Sequence, residues 1–146
     1  MSGPLSARTP ARILLVDDEV TLRRTLERAL TSFGYEVFTS PDAHTAYSLL
    51  GETSVDLVLL DLRMPQMAGD ALYLAIVRRW PEMQGRIILM TGDPWAHQET
   101  WPPDLQNCPI LAKPFTLDIL ARTVAGVLAQ AAAAEQLPHK RQGNGQ

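Results

Sequence analysis

With a single cysteine, Cys108, among 146 residues, the chain can form no internal disulfide, and that residue reads as a small hydrophobe just ahead of a strand. Long apolar runs are missing too. The longest stretches, VDLVLL at 55–60 and RIILM at 86–90, fall far short of the roughly 20 residues that cross a bilayer. The opening MSGPLSARTPAR lacks the apolar centre of a secretory leader, so a cytoplasmic location and no membrane contact are expected. Nor is there a basic excess, since 13 Lys and Arg stand against 16 Asp and Glu, for a formal charge of −3. Nucleic-acid binding by this chain alone would call for clustered cations and is not expected.

The length suffices for one ordinary core and is short for two. Short apolar runs alternate with longer amphipathic stretches, the pattern of a parallel sheet with crossover helices. Strands are expected at 12–16, 35–39, 55–60, 86–90 and 110–112, and the nearly unbroken apolar character of the third and fourth suits strands covered on both faces. Leu22, Leu26, Ala29, Leu30 and Phe33 recur at helical spacing, which predicts a helix over 19–33 capped by Gly34. A second helix is expected from Ser40-Pro41 to about Gly51, with the serine as cap and the proline in the first turn. A third is expected over 69–80, stopped by Pro81, and a last one runs from a Thr116 cap through Leu120, Val124, Val127, Leu128 and the alanines 131–134.

The stretch DPWAHQETWPPDLQNCP at 93–109 breaks this rhythm. It predicts helix only between Pro94 and Thr100, ended by Pro102 and Pro103 and followed by an irregular loop. The resulting fold class is α/β: a flavodoxin-like doubly wound five-stranded parallel sheet of order 2-1-3-4-5, with a shortened or irregular fourth helix. Its ligand crevice would lie at the carboxyl ends of strands 1 and 3. Flexible tails are expected at 1–10 and 138–146, leaving 11–137 as the domain.

The polar residues fall at strand ends. Asp17 and Asp18 close the first strand, Asp61 the third, Thr91 the fourth and Lys113 the fifth, so all five converge on one edge of the sheet. Two like charges about 4 Å apart repel by roughly 4 kcal/mol at an effective dielectric near 20, so three carboxylates in one crevice need a cation. Mg²⁺ suits an all-oxygen site of carboxylates, a carbonyl and waters, and Lys113 supplies a fixed positive charge from the opposite side. A carboxylate flanked in this way is a competent nucleophile toward a phosphoryl donor. The loose transition state of phosphoryl transfer needs positioning and charge neutralisation more than covalent help.

The strings LLVDDE (14–19), LVLLDLRMPQMAGD (57–70), ILMTGD (88–93) and LAKPF (111–115) resemble, in order and spacing, the signature blocks of bacterial response-regulator receiver domains. The resemblance covers about residues 11–130. It implies that Asp61 is the phosphoacceptor in a two-component phosphorelay, supplied by a sensor histidine kinase or a histidine phosphotransfer protein. It further implies that Asp18 and Asp61 ligate Mg²⁺ with the backbone carbonyl of Arg63, and that Asp17 helps indirectly. Lys113 would pair with the phosphoryl oxygens, Thr91 would be the switch hydroxyl, and Pro114 matches a position that often has a cis peptide bond. The implied role is that of a switch and not of an enzyme. Two departures stand out: Ile110 occupies a position where many receivers carry Tyr or Phe, and the proline-rich 93–109 replaces a full fourth helix, as in receivers of hybrid kinases.

Three other features are read more plainly. Met64, Met67 and Met90 fill loops and core, and His44, His97 and His139 lack metal spacing. Trp95 and Trp101 favour local packing, although a contact with a partner or with a second copy of the chain is expected on the face of the fourth segment and fifth helix. Two rival readings remain. One is a phosphorylation-independent interaction module, favoured by Ile110; the other is a flavodoxin-like enzyme or cofactor binder, disfavoured because VDDE at 16–19 offers no glycine or hydroxyl to cradle a phosphate. The chain is expected to be either a stand-alone receiver or a piece of a longer kinase or regulator.

Overall fold

A computed structural model describes residues 9–63, 69–93 and 103–136. Strand β1 (Arg12–Val16) leads to helix α1 (Val20–Ser32), β2 (Glu36–Ser40), α2 (Ala43–Glu52), β3 (Leu57–Asp61) and α3 (Gly69–Arg79). A 3-10 turn (Pro81–Met83), β4 (Ile87–Thr91), the single turn α4 (Pro103–Gln106), β5 (Ile110–Ala112) and α5 (Leu117–Gln136) complete the order. The strands are all parallel, arranged β2-β1-β3-β4-β5, as the alternating sequence pattern predicts.

Successive side chains of a strand point to opposite faces, and here both faces are covered. Leu14, Val16, Val58, Leu60 and Leu89 pack with Ala46 of α2 and Leu72 and Ile76 of α3. Ile13, Leu15, Leu57, Leu59, Ile88 and Met90 meet Leu26 and Leu30 of α1 and Leu120 and Val124 of α5. This two-sided enclosure is why the central strands read as unbroken apolar runs, with β3 and β4 buried at all five positions.

Gly34 ends α1 as expected. Its φ of 100 suits a residue without Cβ. Its N–H donates to Thr31 O at 3.0 Å, and that of Tyr35 donates to Leu30 O at 3.2 Å, the paired bonds of a Schellman cap. Thr116 also caps α5, its Oγ1 accepting from Ile119 N–H at 3.1 Å.

Other expectations need correction. Ser40 does not cap α2; it is the last residue of β2, and the cap is Asp42, whose carboxylate accepts the Thr45 N–H at 2.7 Å. That bond favours the ionised form and lowers the Asp42 pKa. Strands β2, β3 and β4 each run to the residue after the expected end, so Ser40, Asp61 and Thr91 belong to the sheet itself.

In the fourth segment Pro103 opens a helical turn where an irregular loop is expected, because at the first helical position a missing N–H costs nothing. The turn expected between Pro94 and Thr100 lies outside the described residues, as do Trp95, Trp101, Met64 and Met67. Helix α5 differs from the run-by-run reading of hydropathy: over Leu117–Glu135 it is long and apolar enough to cross a membrane by length and composition alone. The same helix supplies Leu120, Val124 and Val127 to the core.

The short α4 turn is tied down by Leu105, which is fully enclosed among the side chains on the α2–α3 side of the sheet. Leu105→Ala should therefore cost about 2–5 kcal/mol, as for other buried leucines, read as a lower urea midpoint. An unchanged midpoint would mean that the turn adds nothing to the core.

Candidate functional site

The sheet register carries the predicted polar residues to one edge. β1 and β3 lie side by side with Val16 opposite Leu60, so Asp17 and Asp61 emerge together just beyond that pair. Asp61 pairs with Met90, and Thr91 with Ala112, which brings Thr91 and Lys113 to the same rim. Asp17, Asp61 and Thr91 are buried, Asp18 is exposed, and the Lys113 side chain is 21% exposed.

Asp17 is the most firmly held. Its Oδ1 accepts the Glu19 N–H at 2.9 Å, its Oδ2 accepts Lys113 Nζ at 3.0 Å, and its main-chain carbonyl accepts Arg23 Nη1 at 2.7 Å. Asp61 accepts the Arg63 N–H on Oδ1 at 3.0 Å, and its Oδ2 faces Lys113 Nζ at 3.6 Å. The ammonium thus bridges two carboxylates and sits nearer Asp17. Thr91 Oγ1 accepts the Asp93 N–H at 3.1 Å, which leaves its hydroxyl proton available to donate. The Lys113 N–H is anchored to Thr91 O at 2.7 Å, and the Lys113–Pro114 peptide is cis, as the motif implies.

Burial pushes the Asp61 carboxyl up to about 6, and the negative charges of Asp17 and Asp18 add to the rise. The Arg63 N–H bond and the Lys113 ammonium pull it down without cancelling the effect. Burial thus disfavours the ionised form more than the lysine and the Arg63 N–H favour it, and an added cation would act in the same direction as the lysine.

Carboxylate oxygens of Asp17, Asp18 and Asp61 all lie within 4.8 Å of one another. Oxygens on opposite sides of an octahedral Mg²⁺ are about 4.2 Å apart, from ligand distances of about 2.1 Å. The donor set is all oxygen and the spacing fits a hard divalent ion bound partly through water. Arg23 was not anticipated; its one sequence signal is its position six residues after Asp17, in the first turns of α1.

The chain belongs to the response-regulator receiver domain family, whose sequence model matches residues 13–125. Domains of this family are signalling switches. The chain is similar to the transcriptional regulatory protein GlrR of Escherichia coli, with 34% identity over 86% of this chain and 28% of that protein. It is also similar to the sensor histidine kinase RcsC of Salmonella typhimurium, with 35% identity over 77% of this chain and 12% of that protein. It therefore spans under a third of either relative.

Among solved structures, a signal receiver domain of an HD domain-containing protein from Pseudomonas fluorescens superposes with a TM-score of 0.79 at 28% identity, covering 90% of this chain and 97% of that one. The response regulator TrrA of Thermotoga maritima, in complex with Mg²⁺ and BeF, gives a TM-score of 0.70 at 29% identity, covering 80% of this chain and 98% of that one.

Asp61 generates a stability prediction for the metal-free protein. A carboxyl whose folded pKa, about 6, exceeds its reference value of 3.8 holds its proton more tightly in the native state. Stability therefore falls as pH rises from about 4 to about 6 and stays low above that. In EDTA at pH 7.5, Asp61→Asn should stabilise the protein by on the order of 1–3 kcal/mol. The gain should shrink toward pH 4; a difference independent of pH would contradict it.

Proposed function

We propose that the chain is a Mg²⁺-dependent phosphoryl-accepting switch in which Asp61 takes the phosphoryl group of a phosphohistidine. The observation that carries this reading is the cluster of Asp17, Asp18 and Asp61 within 4.8 Å, bridged by Lys113 at 3.0 and 3.6 Å. Asp18 and Asp61, with the Arg63 carbonyl, would hold the ion, while Asp17 acts indirectly by fixing Lys113 and the turn at Glu19. When bound, Mg²⁺ neutralises charge on the transferring phosphoryl oxygens.

In this reading the Asp61 carboxylate attacks phosphorus as the donor's N–P bond breaks and the electron pair stays with the imidazole. Oδ1 is occupied by the Arg63 N–H, which makes Oδ2, beside the ammonium, the attacking oxygen. Lys113 then pairs with a phosphoryl oxygen, and Thr91 exchanges its contact with Asp93 for a hydrogen bond to another. A charge-assisted bond of about 1.5–3 kcal/mol shifts a two-state population roughly ten- to a hundredfold. Ile110 is half-buried against the α2–α3 side of the sheet, and an aliphatic side chain offers no ring to swing inward, so rearrangement of the β4–α4 region would carry the signal.

The unit proposed for this role is residues 11–137. Its partner would be a sensor histidine kinase or a histidine phosphotransfer protein in the cytoplasm, with a second copy of the chain as a further partner through the fourth-segment and α5 face. No nucleic-acid contact by this chain alone is part of the reading.

With acetyl phosphate and Mg²⁺, the wild-type chain should incorporate phosphate, seen as a mobility shift on a phosphate-affinity gel, and Asp61→Asn should not. Lys113→Ala should slow incorporation roughly a hundredfold, the usual consequence of losing a fixed donor to developing charge. Labelling of Asp61→Asn at the wild-type rate would refute the acceptor assignment. Beryllofluoride with Mg²⁺ should also move the amide resonances of Thr91 and Gly92; a phosphorylation-independent module would leave them in place.

A further inference from the structure

Asp18 differs from its neighbours in the cluster. Its side chain is exposed, and among the described residues no hydrogen bond to its carboxylate is found. The backbone that carries Asp18 therefore sets where its Cα–Cβ bond starts and points, and with it the region the carboxylate can reach. Both peptide groups flanking Asp18 are held from outside: the carbonyl of the preceding one accepts Arg23 Nη1 at 2.7 Å, and the N–H of the following one donates to Asp17 Oδ1 at 2.9 Å. A peptide unit is rigid and planar, so fixing the Asp17 oxygen fixes the direction in which the chain enters Asp18.

Three of the four restraints on Asp17 come from the sheet edge, its own turn and the site lysine: its N–H donates to Ser40 O at 3.1 Å, and its carboxylate binds Glu19 N–H and Lys113. The fourth comes from Arg23, a half-buried residue on α1 whose own N–H is bonded to Glu19 O at 2.9 Å. The helix and the acidic turn are thereby locked together by one guanidinium.

We propose that Arg23 is a positioning residue: by clamping the Asp17 carbonyl it orients the Asp17–Asp18 peptide and so aims the Asp18 carboxylate at the cation site. This inference rests on the reading of Asp17, Asp18 and Asp61 as a Mg²⁺ site. Lysine at position 23 would keep the charge and one donor, whereas methionine would keep the apolar stem and lose both.

The test is calorimetric titration of the full chain with MgCl₂, together with amide hydrogen exchange in EDTA. Arg23→Met should weaken Mg²⁺ binding roughly tenfold, in line with the loss of other partners that orient metal ligands, and Arg23→Lys should recover most of it. In EDTA, exchange at the Asp18 and Glu19 amides should speed up in Arg23→Met while the β1 and β3 amides keep wild-type protection. Equal Mg²⁺ affinity and equal exchange in Arg23→Met would overturn the role of Arg23. Faster exchange across the whole sheet would also overturn it, by marking a general stability effect. If the wild-type chain itself takes up no Mg²⁺, the metal-site reading fails, and the exchange measurement still decides whether Arg23 holds the turn.

Discussion

The site depends on an electrostatic balance at one rim of the sheet. Asp17 and Asp61 are buried there beside Asp18, and the only fixed cation among the described residues that bonds their carboxylates is Lys113. Burial first, and the neighbouring negative charges of Asp17 and Asp18 after it, raise the Asp61 pKa despite that ammonium. A crevice in this condition is electrostatically receptive to an added cation. The apolar core is what makes the arrangement affordable, because eight buried apolar positions in β3 and β4, leading up to Asp61 and Thr91, hold the rim in place.

Much of this was legible in the sequence because two independent patterns coincide. Apolar periodicity located the strands to within a residue or two, and the positions immediately after those strands carried the polar residues. The strand order, the convergence of Asp17, Asp18, Asp61, Thr91 and Lys113, and the Gly34 and Thr116 caps all followed. Such features are local or are fixed by the parallel topology, so spacing along the chain suffices to find them.

What escaped notice depends on competition between neighbours or on contacts across the fold. Ser40, Pro41 and Asp42 all suit the start of a helix, and only the extension of β2 by one residue decides in favour of Asp42. The helical turn opened by Pro103 was missed because prolines read first as helix stops, and the burial of Leu105 that anchors it depends on contacts across the fold. Arg23 gives only a faint signal in the sequence, its spacing from Asp17, since its partner is a main-chain oxygen. Arginines on the polar side of an amphipathic helix are ordinarily solvated.

The bond from Lys113 to Asp17 joins residues 96 positions apart, and it reaches the rim from β5, a three-residue strand at the sheet's edge. During synthesis the acidic half of the site emerges long before its ammonium. A nascent chain therefore carries the carboxylates without their fixed counter-charge until nearly the whole domain has left the ribosome. Local fraying of so short an edge strand would return the mature protein to that same condition, so competence for chemistry at this rim is tied to completion of the last strand.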